Sequence, residues 1–182
     1  EGNEIFVSCP ESSTAKTQST QTPVPETNLQ AEEVHSSGPQ TARPHDLTHE
    51  LKERHFTIRY GSRGYGYESI LLEYMRGAKT VFVQDPYVRA PHQIVNFQKF
   101  CEVAVKAETV RKIELITSSE HEDQEAEAKG KLFTLVDSLK DFDIELVVKW
   151  EGSIHDREIK LSNGWAIKIG RGLDYFQKPD DW

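Results

Sequence analysis

The chain has 182 residues and a formal net charge of −8, which is room for one domain of ordinary size and something extra. That acidity argues against non-specific nucleic-acid binding by the whole molecule, and no apolar run approaches the roughly 18 residues that span a bilayer. Its two cysteines, Cys9 and Cys101, lie far apart and form neither a disulfide framework nor a zinc spacing, so a reducing compartment is expected. There is no signal peptide, and the single methionine is Met75. We therefore read the chain as a soluble, intracellular fragment of something longer.

Residues 1–55 are expected to be a disordered linker. They carry five of the eight prolines and long Ser/Thr/Gln/Glu tracts, with scattered large apolar residues such as Ile5, Phe6, Val7 and Leu47. Such a segment buries too little to offset its ordering entropy. The compact domain is expected over 56–182. It opens on a glycine-rich turn, SRGYGYES, and continues into a helix over 68–76, where Ile70, Leu71, Tyr74 and Met75 share a face and Gly77 stops the helix. A short β-rich strand over 80–83 follows. Ile94, Phe97, Cys101 and Ala104 then recur at helical spacing across 92–106. A second strand is predicted over 112–117, a second long helix over 125–140, and a third strand over 144–150. Two right-handed crossovers between three strands give a parallel α/β sheet, expected to have helices on both faces.

Residues 153–176, SIHDREIKLSNGWAIKIGRGLDYF, end the pattern with a hairpin. His155 and Arg157 alternate into the strand 158–161, so they point the same way. Asn163-Gly164 marks the turn, because both residues tolerate positive φ. The second strand is 165–169. This stretch is a cationic island, since 152–178 holds five basic residues against three acids, whereas 119–145 holds nine acids against three lysines. The basic set is Arg157, Lys160, Lys168, Arg171 and Lys178, with Lys160 off the face of His155. Trp150 and Trp165 are expected in the core.

Ligands of open α/β sheets bind beyond the carboxyl ends of the strands. Those ends bring together Asp85, Tyr87, Arg89, His92, Thr117, Ser118, His155 and Arg157 as a possible pocket. Asp85-Pro86-Tyr87 is equally explained as a turn fixed by proline. The run EHEDQE at 120–125 lacks the ligand spacing and the glycine of a calcium loop. No metal or cofactor is expected.

Three motifs, DPYVR, HDRE and NGWAIKIGRGLDYF, resemble the C-terminal phospholipase-D-like domain of the MIT-domain-containing proteins associated with the ESCRT machinery. The resemblance runs from about Tyr65 to Pro179. It implies a phospholipase-D-like fold that dimerises and binds acidic phospholipids, including phosphoinositides. It also implies an upstream MIT domain that binds ESCRT subunits, and a role in abscission during cytokinesis. The expected location is cytoplasmic, peripheral on endosomal or midbody membranes. The chain stops at Trp182, short of further strands of the family domain, which predicts an unpaired sheet edge.

Active members of the superfamily carry His-x-Lys-x4-Asp twice across one site, with one His as nucleophile and lysines on the phosphoryl oxygens. Carried over residue by residue, His155 fills the nucleophile position, Arg157 stands for the lysine and Ser162 for the aspartate. A guanidinium still clamps phosphate. A serine does not replace a carboxylate's charge, and His92 and His121 lie in no second motif. The expectation is a non-catalytic, peripheral membrane-binding homodimer. The alternative is a phosphodiesterase (phospholipase or nuclease) using His155 from both copies. Each basic residue near an anionic leaflet would contribute about 1 kcal/mol.

Overall fold

In the run TVFVQ, Val81 and Val83 are buried while Phe82 between them is 43% exposed, the alternation of a strand with one covered face. This strand lies near the middle of the sheet. The structure, a computed structural model, describes residues 2–9, 51–59, 62–119 and 121–175. In chain order the elements are β1 Asn3–Ser8, β2 Arg54–Ile58, α1 Tyr67–Met75, β3 Thr80–Gln84, α2 Pro91–Lys106, β4 Lys112–Thr117, α3 Glu122–Lys140, β5 Glu145–Trp150, β6 Glu158–Leu161 and β7 Ala166–Ile169. A 3₁₀ turn, Gly172–Tyr175, follows β7. The seven strands form one sheet in the order β2-β1-β7-β6-β3-β4-β5.

The α/β reading holds. β3, β4 and β5 are parallel, and β6 and β7 add antiparallel strands on the other side of β3. One detail is corrected. The expected helices on both faces are, among the described residues, a single layer in which α1 packs on α2 and α2 on α3. The strand order β3-β4-β5 advances in one direction, and crossovers of the usual right-handed sense then put α2 and α3 on the same face. Between that layer and the sheet sits one core, which includes Tyr74, Met75, Phe97, Phe100, Ile113, Leu115, Ile159 and Ile167. Each such side chain contributes about 1.5–3 kcal/mol by leaving water. The opposite face is open, and Phe6 is 48% exposed on it.

The linker expectation is corrected at both of its ends. Asn3–Ser8 is not a linker but β1, with Asn3, Ile5 and Val7 facing the core. Strand β2 begins at Arg54. The β6–β7 hairpin is not at the edge of the sheet, because β7 pairs with β1 through Ile5↔Ile169, Phe6↔Lys168 and Val7↔Ile167. Residues 10–50 lie outside the described residues, as do Glu120 and 176–182, so the rest of the linker reading and the truncated end fall there.

The hairpin turn also departs from expectation. Only Gly164 has positive φ (97°), while Asn163 does not, which fits a turn closed by one left-handed glycine rather than two left-handed residues. Asn163 is occupied elsewhere: its Nδ2 donates to the carbonyls of Tyr74 (2.8 Å) and Arg76 (3.2 Å) at the end of α1.

Candidate functional site

Where β3 ends, Asp85 is 3% exposed. Its Oδ1 accepts from the Tyr87 backbone N–H at 3.0 Å and its Oδ2 from that of Leu173 at 2.8 Å. Burial pushes its pKa up, while the two N–H groups and the Arg157 charge pull against that. The 3₁₀ turn reaches this carboxylate because Gly172 has φ of +62° and no side chain; a Cβ there would lie 2.1 Å from Asp85 Oδ2.

Arg157 comes to the same place from the loop before β6. Its guanidinium lies 4.1 Å from the Tyr87 ring centroid, and its Nη1 donates to Gly170 O at 3.0 Å. Arg89 lies over the same ring at 5.3 Å. Thr117 and Ser118 brace the loop from behind, donating to the carbonyls of Val88 (3.3 Å) and Pro86 (2.8 Å). Both hydroxyls are thus engaged with backbone. His92 Nε2 sits 3.6 Å from Asp174 Oδ2, and Asn96 Nδ2 donates to Asp174 Oδ1 at 3.1 Å. Below them the Tyr67 hydroxyl donates to Leu173 O, and burial pushes the Tyr67 and Tyr175 hydroxyls far up.

On the open face, a groove of about 520 Å³ is lined by Glu4, Phe6, His155, Asp156, Arg157, Glu158, Lys168, Ile169 and Gly170. Two of its three acids have partners. Glu158 pairs with Lys160 at 2.5 Å, and Glu4 pairs with His55. Lys168 stands between Phe6 and Glu158 across the sheet and makes no ion pair with a described residue. His155 is exposed.

The predicted pocket is therefore two places. Asp85, Tyr87, Arg89 and Arg157 converge, with Thr117 and Ser118 as supports and His92 beside Asp174. His155 is not in that cluster but in the groove, and Arg157 is shared between the two. The basic set is also divided: Lys160 and Lys168 lie on the open face, Arg171 on the loop after β7, and Lys178 outside the described residues. Ser162, read against the aspartate of the hydrolase motif, accepts from the backbone N–H groups of Lys79 (2.8 Å) and Thr80 (3.0 Å). That is the start of β3, the end opposite Asp85, so Ser162 takes no part in the site. Sequence reasoning missed Gly172, Asp174 and Asn96. The GRGLDY run carried the only signal, two glycines bracketing a charge. Among the described residues no cluster is placed to hold a metal ion, and no helix is long and apolar enough to cross a membrane.

A family model described as the phospholipase D-like domain at the C-terminus of MIT matches residues 64–182. The chain belongs to this family. MIT domain-containing protein 1 of Mus musculus is 43% identical over 124 residues, covering 67% of this chain and 50% of that protein. The chain thus spans about half the length of that curated relative. Everything from α1 onward, including Asp85, Arg157 and the groove's β6–β7 wall, falls within the phospholipase D-like match, whereas β1 and β2 lie outside it.

Proposed function

We propose that this phospholipase D-like domain is a non-catalytic, peripheral membrane-binding module that takes the phosphate of acidic phospholipids, phosphoinositides among them, in the His155–Lys168 groove. The observation that carries this reading is the pairing in the groove. Glu158 pairs with Lys160 and Glu4 with His55, while Lys168 has no ion-pair partner among the described residues and lies in the same groove as Arg157. Arg157, steadied by the Tyr87 ring and Gly170 O, is a pre-oriented guanidinium, the side chain best suited to phosphate oxygens.

Family membership and the similarity to MIT domain-containing protein 1 support placing the domain in an ESCRT-associated protein acting in abscission. Partner-subunit binding is then assigned to an MIT region upstream. A homodimer would strengthen attachment by presenting two grooves to one surface.

Co-sedimentation with phosphoinositide-containing vesicles tests the reading. Binding should fall several-fold in Lys168→Glu plus Arg171→Glu and weaken as salt rises. Unchanged binding in the double variant removes the groove from the proposal. A phosphodiesterase turnover abolished by His155→Ala would overturn its non-catalytic half.

A further inference from the structure

The position that β1 fills in the sheet does not come from its neighbours in sequence. Residues 9–53 separate β1 from β2, and β7 comes more than 150 residues later, yet β1 is hydrogen-bonded to both. Among the described residues, strand β2 joins the sheet only through β1. One wall of the gap lies inside the family match and is shaped for a strand. Gly170 N donates to Glu4 O at 3.0 Å, and a Cβ on Gly170 would come within 3.2 Å of Asn3 Oδ1. Arg171 N donates to that same Oδ1 at 3.1 Å.

The occupant fits this gap imperfectly. Ile5 and Val7 are buried, as an inward strand face should be, but the third inward residue is Asn3, 8% exposed, with Nδ2 lacking a hydrogen-bond partner among the described residues. A buried amide left unpaired is costly, whereas a side chain without it is not. The outward side prefers an acid, because Glu4 Oε2 meets His55 Nε2 and accepts from Thr57 Oγ1 at 3.3 Å. Lys168 lies one strand over, beside Phe6.

We propose that the gap between β2 and β7 is a strand-accepting site for an extended, acidic segment of a partner polypeptide, and that β1 is the chain's own displaceable occupant. The pattern it reads has a β-branched residue in place of Asn3, an acid at the place of Glu4, and apolar residues at the places of Ile5 and Val7. Backbone pairing to β7 and β2 supplies affinity, and the alternate side chains supply selectivity.

The test uses the full chain and a fluorescent synthetic peptide of residues 2–8 carrying Asn3→Thr, read by anisotropy. Thr removes the orphan amide and is β-branched, as a strand position favours. Saturable binding is expected, with loss when the peptide also carries Glu4→Lys or is scrambled. Asn3→Thr in the chain itself seats β1 more firmly and should weaken capture roughly tenfold. Ile5→Glu in the chain should expel β1 and strengthen capture several-fold. If that variant does not fold, the Asn3→Thr chain alone decides. No saturable binding, or equal binding by the wild-type and Asn3→Thr chains, overturns the proposal. So does exchange of β1 between two differently labelled copies without capture of the peptide, since the occupant would then be a second copy.

Discussion

Gly172 rests against Asp85 so closely that no side chain can stand at position 172. Its φ is +62°, and a Cβ would fall 2.1 Å from Oδ2. The neighbouring Leu173 N–H holds that same oxygen at 2.8 Å. Gly172→Ala must bear both a left-handed alanine and the displacement of a buried, hydrogen-bonded carboxylate. We expect a loss of at least about 2 kcal/mol in a urea titration, since the backbone conformation alone costs about 1–2 kcal/mol. A variant as stable as wild type would show that the 3₁₀ turn is not held by this contact.

Two carboxylates should give opposite pH profiles. Asp85, raised by burial above its ordinary 3.8, binds its proton more readily folded than unfolded. Its contribution to stability is full below 3.8 and is lost as pH rises through its raised folded value. Glu114 is held below its ordinary 4.5 by hydrogen bonds from Lys112 and Lys149, so its contribution is present above 4.5 and is lost as pH falls. Thermal melts of Asp85→Asn and Glu114→Gln against wild type should therefore diverge from it with opposite slopes in acid. Parallel slopes would remove either the burial or the lysine pairing as the cause.

Asn163 ties the β6–β7 turn to the end of α1 through two hydrogen bonds from one amide. Asn163→Ala should cost about 1–2 kcal/mol, the worth of two such bonds partly replaced by water. Asn163→Asp should cost more, because it sets a carboxylate against two carbonyl oxygens. Equilibrium unfolding of the pair checks the order.

The thiols should separate cleanly. Cys101 lies in the core of α2, and burial pushes its pKa far up, whereas Cys9 is partly exposed. A thiol reagent under native conditions should modify Cys9 promptly and Cys101 only on unfolding. Prompt loss of both thiols would mean that the α2 core opens.

The central crossovers were legible because their signals are local. The strand 112–117 and the helix face of Ile94, Phe97, Cys101 and Ala104 each declare a period within one run of chain, and two right-handed crossovers then fix the order of β3, β4 and β5. Strand β1 was not legible. NEIFVS is a six-residue run with only three apolar residues, Ile5, Phe6 and Val7, beside a long polar tract, and what makes it a strand is β7, far away in sequence. The site divided the same way. Asp85 and Tyr87 follow from where a parallel strand ends, and Arg157 follows from the phosphate chemistry of its motif. That Gly172 delivers an N–H to Asp85 depends on one positive φ, which composition does not announce. Likewise Ser162, aligned with a catalytic aspartate, proved to be an acceptor at the far end of β3.

The placement of β1 also bears on the order in which the molecule assembles. The region from α1 to β7 closes through a succession of short connections, whereas β1 must find an edge that does not exist until the β6–β7 hairpin has formed. Contacts of such long sequence separation form late, because their loop-closure entropy is paid before they give any return. We therefore expect β1 and β2 to dock last in refolding and to open first under native conditions. Their amides would then exchange with solvent well ahead of those in β3 and β4, making that side of the sheet a seam rather than a wall.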